Sequence, residues 1–108
     1  MAERFLTLLT VSALLVSSAP AAEGLDREGC AFNGFPLHGD VQVVTSFPDI
    51  RVEIVDSFPD LDVEVVASFP DKCGQWKFVD SFPDVKIQYV TSFPDIRVRM
   101  VTSFPGIK

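Results

Sequence analysis

The feature that most constrains the fold of this chain is a four-residue phrase, Ser-Phe-Pro-Asp, which recurs along most of its 108 residues. Six copies begin at Ser46, Ser57, Ser68, Ser81, Ser92 and Ser103, and the last copy ends in Gly106 instead of Asp. Successive serines lie 11 residues apart, except for an interval of 13 between Ser68 and Ser81. A period this regular indicates a repeat fold built from one short unit.

Each unit begins with an alternation of polar and apolar residues. In the first unit, Asp40 and Gln42 are polar, whereas Val41 and Val43 are apolar. The apolar positions of the later units are again mostly β-branched or aromatic, and this period of two predicts a half-buried strand with the apolar positions facing inward. A proline every 11 residues excludes a long helix. We therefore expect an all-β fold of short strands.

Each strand is expected to end in a turn at the repeated phrase. Proline has no backbone N–H and does not continue a central ladder, and it favours an extended conformation in the phenylalanine before it. Aspartate after proline suits a turn, because its side chain can bond nearby backbone N–H groups. We expect the six turn phenylalanines to stack as the spine of the core. The predicted turn residues are Phe47, Pro48, Asp49, Phe58, Pro59, Asp60, Phe69, Pro70, Asp71, Phe82, Pro83, Asp84, Phe93, Pro94, Asp95, Phe104, Pro105 and Gly106.

Two extra residues, Cys73 and Gly74, divide the six units into two blocks of three. Residues 40–71 carry eight acidic residues and one arginine, a net charge of −7, and residues 72–108 carry six basic and three acidic residues, a net charge of +3. Stacking the units in sequence order, as in a β-solenoid, would set Glu53 beside Glu64, and like charges on neighbouring strands are unfavourable. The charges therefore favour pairing the strands of one block with those of the other.

The N-terminal region has the features of a secretory signal peptide over residues 1–21. The apolar run from Phe5 to Val16 follows a cationic residue, and Ala19 and Ala21 form the small-residue pattern of a cleavage site. The run has 12 residues, fewer than the roughly 20 that a membrane-spanning helix needs. The alternative is a buried N-terminal helix. Residues 22–39 hold four glycines and predict a loop-rich lead-in.

Cysteine content and charge limit the location and the partners. In the oxidising compartment that a signal peptide implies, we expect Cys30 and Cys73 to form a disulfide, the alternative being two buried thiols. With a net charge of −6, the chain lacks the basic surface that is typical of nucleic-acid binders. We expect a periplasmic or secreted protein with no nucleic-acid partner and no membrane span after signal cleavage.

Few residues suggest chemistry. His38 is the one histidine, and the chain has no zinc-protease, paired-cysteine or phosphate-loop motif, so we predict no catalytic, metal or cofactor residues. The repeated aspartates could form a carboxylate row for calcium, but their spacing favours turn formation. Trp76, Phe78 and Tyr89 could stack on a sugar ring, but their periodicity places all three on the inward face.

The repeated units, the break Asp71-Lys72-Cys73-Gly74-Gln75-Trp76 and the ending Ser103-Phe104-Pro105-Gly106 resemble the septoil knot family of small bacterial proteins. The resemblance covers Val41 to Ile107. It implies an all-β chain threaded into a 7(1) torus knot, a knot of seven crossings, in which two halves wind around each other. It implies no activity and no functional residues.

Taken together, these observations predict a β domain over residues 40–108, with units at 40–71 and 75–108 in two interwoven blocks, after a signal peptide and a lead-in. For function we expect a non-enzymatic structural or interaction protein that uses edge strands or its polar face. The alternative is a small module that binds carbohydrate or the cell envelope. The partner would be an unidentified protein or glycan.

Overall fold

The structure is a computed structural model that describes residues 23–108. Every regular element in this range is a strand, as the sequence predicts. The predicted signal peptide lies outside the described residues. Between residues 23 and 108 there is no helix of a length and hydrophobicity that would cross a membrane.

The lead-in contains three short strands where the sequence predicted a loop-rich segment. Strands β1 (Leu25–Asp26), β2 (Ala31–Phe32) and β3 (Phe35–Pro36) form a small antiparallel sheet in the order β1-β2-β3. Asn33 and Gly34, between β2 and β3, have φ angles of 49° and 87°. Two central residues with positive φ are typical of the tightest hairpin turns, which explains why this glycine-rich segment forms a sheet.

The remaining strands form the second sheet. They are β4 (Gly39–Val43), β5 (Ile50–Ile54), β6 (Leu61–Val65), β7 (Gln75–Phe78), β8 (Val85–Tyr89), β9 (Ile96–Val101) and β10 (Gly106–Ile107). Their order is β10-β6-β7-β4-β8-β5-β9, and β9 also pairs with β6. The pairing of β9 with β6 closes the six strands β4 to β9 into a barrel. All six are parallel, and β10 adds to β6 in the antiparallel direction.

The two halves of the chain alternate around this barrel. Each of β4, β5 and β6 lies between two strands of the second block, so the predicted pairing of one block with the other is confirmed. The register places Glu53 opposite Arg97 and Asp62 opposite Arg99. Glu53 and Arg97 form an ion pair with 3.3 Å between Oε1 and Nε. Strand neighbours therefore carry opposite charges where sequential stacking would have placed like charges.

The offset between neighbouring strands is the same at every step around the barrel. Val41 lies opposite Val85, Ile87 two residues further along lies opposite Ile50, and Val52 two residues beyond that lies opposite Ile96. Because strand offset and barrel geometry are linked, a constant offset in a closed ring places equivalent residues of the six units at the same level. The barrel thus has approximate six-fold symmetry about its axis.

Two layers of side chains fill the barrel. Both layers are at most 2% exposed. One contains the residues that follow the turn aspartates, namely Ile50, Leu61, Val85 and Ile96. The other contains the second residues of the units, namely Val41, Val52, Val63, Trp76, Ile87 and Val98. The second positions were predicted to face inward, and their burial agrees with this prediction.

The fourth position of each unit was also predicted to be inside, and this prediction is wrong. These side chains are 40–49% exposed. They are Val43, Ile54, Val65, Phe78, Tyr89 and Met100. They have the inward parity of the core residues, but they lie at the carboxyl ends of the strands, where the barrel is open. Periodicity thus gave their face correctly and their depth incorrectly.

The other end of the barrel is closed by the lead-in. Leu37 is 1% exposed, and its carbonyl accepts hydrogen bonds from Trp76 Nε1 and Gly74 N, each at 3.1 Å. The structure contains the disulfide between Cys30 and Cys73, with 5.8 Å between the Cα atoms. This bond attaches the lead-in to the break between the two blocks.

Asp62 holds together the strands at which the barrel closes. Its side chain is 4% exposed and accepts hydrogen bonds from Arg99 Nε and Nη2, each at 3.0 Å. Lys108 Nζ lies 3.0 Å from Asp62 Oδ2, which joins the chain beyond β10 to the same carboxylate. The hydrogen bonds from Arg99, with smaller contributions from Lys108, outweigh burial and hold the pKa of Asp62 below its ordinary value of 3.8.

We predict that this carboxylate makes stability depend on pH. Because its pKa is lowered in the folded state, the stabilisation is complete above about pH 3.8 and is lost as the pH falls through the lowered folded pKa. Asp62→Asn should lower the free energy of unfolding by about 1–3 kcal/mol at pH 7 and flatten the acid dependence. Urea unfolding between pH 7 and pH 2 measures both. Equal acid slopes for the variant and the parent would contradict the assignment.

Candidate interaction surface

The repeated turns join strands that are not neighbours. The turn at residues 44–49 runs from β4 to β5 and crosses β8, which lies between them, and the turn at residues 55–60 crosses β9 in the same way. In the second half, the turns at residues 79–84 and 90–95 cross β4 and β5. Every one of these four turns therefore passes over a strand of the opposite half.

The turn aspartate fastens each of these crossings. Asp49 N donates to Lys86 O at 2.8 Å, and Asp49 Oδ2 accepts from Lys86 N at 2.8 Å. Asp60 does the same with Arg97, and its Oδ2 accepts from Arg97 N at 2.8 Å. The equivalent carboxylate bonds of Asp84 to Asp40 N and Asp95 to Arg51 N are 2.9 and 2.7 Å long.

These contacts differ from the local ones that the sequence predicted. The aspartates were expected to bond nearby backbone N–H groups, but their partners are 37 or 44 residues away. The repeated aspartate is therefore a clamp between the two halves. Within the part of the chain that the structure describes, no group of three or more His, Cys, Asp or Glu side chains is placed to hold a metal ion.

Glutamine side chains add a second contact to two crossings. Gln42 Nε2 donates to Asp80 O at 2.8 Å, and Gln88 Nε2 donates to Thr45 O at 2.9 Å. Both glutamines occupy the third position of their units and lie on the crossed strand. Sequence reasoning recorded them only as polar, because nothing in a strand pattern tells which distant turn will pass over it.

The backbone that passes over β7 comes from two parts of the chain, the turn after β6 and the end of the lead-in before β4. Val66 N donates to Trp76 O at 2.9 Å, as the other turns do at their start, but Asp71 N bonds Phe69 O within its own turn. The lead-in supplies the second segment, and His38 Nδ1 lies 3.3 Å from Pro70 O where the two meet. His38 therefore lies where the lead-in meets the turn after β6. Asp71 makes no clamping contact with a crossed strand.

The turn phenylalanines are the largest departure from the sequence prediction. They are 81–94% exposed, with φ angles between 52° and 55°. Both the core spine and the extended backbone predicted for them are therefore wrong. The two aliphatic layers already fill the barrel, and the turn has to pass outside a strand and return to it. A left-handed residue gives this reversal, and the following proline disfavours the right-handed helical alternative.

The exposed phenylalanines surround the barrel. Because equivalent residues share one level, their turns form a band, which we call the phenylalanine girdle. Its members are Phe47, Phe58, Phe69, Phe82, Phe93 and Phe104. A phenylalanine has roughly 150–250 Å² to bury, so the girdle offers on the order of 1,000 Å² of aromatic surface.

The three aromatic residues predicted to be inward are divided by the structure. Trp76 is 1% exposed, with its indole N–H bonded to Leu37 O. Phe78 and Tyr89 are 40% and 44% exposed at the open end, so their predicted burial is wrong. Phe78 packs edge-on against Trp76, with 6.2 Å between the ring centroids. Burial excludes Trp76 from stacking on a sugar.

A barrel whose strands alternate between two halves, with clamped crossings between them, is the arrangement expected of interwound halves. The model of the 7(1) septoil knot domain family matches residues 34–108. The chain belongs to this family. The family identifies the fold as a knotted β-fold, in agreement with the topology above. In this septoil knot domain, the two halves wind around each other because the turns of each half pass over strands of the other half.

A relative from a strain of Synechocystis provides a second comparison. The chain is 66% identical over 56 residues to an uncharacterized protein of Synechocystis sp. (strain ATCC 27184 / PCC 6803 / Kazusa). The match covers 52% of this chain and 50% of that protein, so the chain spans about half the length of this relative. The relative's name states no activity.

We predict that the phenylalanine girdle contributes little to the stability of the septoil knot domain. Phe58→Ser removes a side chain that is 92% exposed, so the free energy of unfolding should change by less than about 1 kcal/mol. Val52→Ala creates a cavity in a fully buried layer and should cost about 2–4 kcal/mol. Denaturant unfolding compares the two variants. If Phe58→Ser lowers the free energy of unfolding as much as Val52→Ala does, the phenylalanine is part of the core and this prediction is wrong.

We also predict that the clamping aspartates stabilise the knot and that Asp71 does not. Asp60→Ala removes the acceptor of Arg97 N–H and should cost about 1 kcal/mol. Asp71→Ala is the matched control, because it alters the same phrase without removing a bond to a crossed strand. Protection of the Arg97 amide from hydrogen exchange should fall in the first variant alone. Unchanged protection in Asp60→Ala would refute the clamp.

Proposed function

We propose that this septoil knot domain is a non-enzymatic interaction protein of the periplasm or the secreted space, and that its phenylalanine girdle is the binding surface. The observation that carries the proposal is the exposure of all six turn phenylalanines, between 81% and 94%. An exposed aromatic ring adds almost nothing to folding. It does supply the kind of apolar aromatic side chain that is enriched in the cores of protein interfaces.

The backbone strengthens this argument. Each girdle residue has a positive φ, an uncommon conformation for a bulky side chain that costs of order 1–3 kcal/mol. Glycine or asparagine would form the same turn with less strain. A ring of strained, exposed phenylalanines is therefore difficult to explain by the needs of the fold. Contact with a partner accounts for it.

The binding surface differs from the one that the sequence suggested. Edge strands or the polar face were expected to bind the partner, but each of the six barrel strands pairs on both sides. A fully paired strand has no free backbone row to offer to another chain. Binding through side chains of the turns replaces binding through strand edges in this proposal.

The proposed location rests on two features. The predicted signal peptide directs the chain out of the cytoplasm, and the disulfide between Cys30 and Cys73 is compatible with an oxidising compartment. The disulfide joins the lead-in to the break between the blocks. It stabilises the closure of the barrel where reducing enzymes are absent.

A second candidate is a small module that binds carbohydrate or the cell envelope. It is favoured by Phe78 and Tyr89, which occupy the same position of their units at the open end of the barrel and are 40% and 44% exposed. A Phe78→Ala, Tyr89→Ala variant should then lose binding to glycans on an array while a girdle variant keeps it. Absence of glycan binding by the parent would remove this candidate.

The test of the main proposal is a crosslinking pull-down from the envelope and medium of the organism that makes the protein. Three baits are compared: the parent, a variant with all six girdle phenylalanines changed to serine, and Phe78→Ala, Tyr89→Ala. Circular dichroism first establishes that all three are folded. We expect a protein enriched by the first and third baits and absent from the second. Equal enrichment by all three, or enrichment by none, would overturn the girdle as a binding surface.

A further inference from the structure

The six girdle turns are not equivalent in charge. Two residues before the phenylalanine, two of the turns carry an exposed acid, namely Asp56 before Phe58 and Asp80 before Phe82. The other four turns carry neutral residues at this position. They are Thr45, Ala67, Thr91 and Thr102. Phe58 and Phe82 are also 92% and 94% exposed. Two turns thus present an aromatic ring together with a carboxylate.

A groove of about 660 Å³ lies where the six-fold pattern is interrupted. Phe104 and Pro105 form its apolar side, and Lys72, Cys73 and Gln75 at the break form the other. Lys72 is exposed, and Phe104 is 88% exposed. Glu64, which also lines the groove, accepts a hydrogen bond from Gln75 Nε2 at 3.4 Å. The groove therefore combines an aromatic surface, a proline, an exposed cation and a carboxylate that already accepts a hydrogen bond from Gln75.

The groove owes its shape to the extra residues of the break. Gly74 has a φ of 88°, and a Cβ atom there would come within 2.5 Å of Asp62 O and 2.8 Å of Gly106 N. The connector therefore approaches β6 and β10 closely at Gly74. Lys72 stays exposed beside the last turn, and Cys73 is partly buried. No other repeat interval has this insertion, so the groove has no symmetry-related copy among the regular units.

We propose that a second copy of this chain binds in the groove through one of its two acidic turns, Asp56 to Pro59 or Asp80 to Pro83. The phenylalanine of the turn packs against Phe104 and Pro105, and the carboxylate two residues earlier pairs with Lys72. Aromatic rings favour such contact in offset or edge-on geometry. The groove has ample volume for one phenylalanine ring. This inference rests on the proposed function and names the partner of the girdle.

Charge complementarity selects these two turns over the other four. A neutral turn offers the same ring but no partner for Lys72. The turn and the groove are different surfaces of one molecule, so the contact is heterologous, and repeating it produces head-to-tail chains unless the rotation closes a ring. The net charge of −6 opposes the approach of two copies at low ionic strength. Salt should therefore strengthen assembly by screening this repulsion and by favouring apolar burial.

The experiment is sedimentation velocity of the disulfide-bonded protein from about 1 μM to 1 mM, at 0.05 and 0.5 M salt. We expect the parent to form species larger than the monomer, with the larger fraction at high salt. Phe58→Ser, Phe82→Ser should remain monomeric over the same range. Phe47→Ser, Phe93→Ser is the matched comparison, since it removes two equally exposed rings from neutral turns, and it should weaken assembly less than Phe58→Ser, Phe82→Ser does.

A charge exchange tests the second half of the contact. Lys72→Glu alone, and Asp56→Lys, Asp80→Lys alone, should each weaken the association constant by about tenfold or more, and the three changes together should restore it. Failure of the combined variant to recover would refute the pairing of turn and groove. A parent that is monomeric throughout, or equal effects of the two phenylalanine pairs, would also overturn the inference.

The outcomes separate this inference from the proposed function. A monomeric parent that still captures another protein through its girdle would refute self-association and leave the girdle as a binding surface. A parent that assembles as expected and loses assembly in Phe58→Ser, Phe82→Ser supports both. If the parent neither assembles nor captures a partner, both fall.

Discussion

The structure depends on backbone pairing between the two halves of the chain. Within the barrel, no strand of the first block pairs with another strand of that block, and the same holds for the second block. Either half alone would leave three short strands with unpaired backbone groups and an uncovered apolar face, and such strands are not stable by themselves. Interleaving is therefore the condition for a core. Once the halves interleave, each connection within a half has to pass over a strand of the other.

The repeated turn follows from this condition. Each crossing must leave a strand, pass outside its neighbour and enter the next strand of the same half within six residues. The left-handed phenylalanine makes the reversal, the proline limits the backbone alternatives, and the aspartate binds both backbone groups of one residue on the crossed strand. The proline and the aspartate recur because a barrel of nearly six-fold symmetry presents the same geometrical problem at each crossing. Asp71 departs from the rule where the crossing is shared with the lead-in.

Much of the barrel could be predicted from the sequence, whereas the candidate surface could not. Alternation identified the strands, and the opposite net charges of the two blocks, with the like charges of Glu53 and Glu64, indicated pairing between the blocks. The pairing of Cys30 with Cys73 followed from their number and the expected compartment. The turn phenylalanines were misplaced because hydrophobicity alone suggested burial, and only the closed barrel shows that aliphatic side chains fill its interior. The aspartate and glutamine contacts were hidden because their partners are at least 37 residues away.

The separation of core from surface gives this fold an unusual freedom. The aliphatic layers and the clamps specify the barrel, so residues at the tips of the turns can differ without altering it. Nearly six-fold symmetry would by itself present equivalent surfaces in every direction, with no preferred orientation for a partner. The insertion of Cys73 and Gly74 and the acids at Asp56 and Asp80 break that equivalence. Specific recognition by this molecule should therefore depend on the places where its repeats differ, while the aliphatic layers and the aspartate clamps maintain the knot.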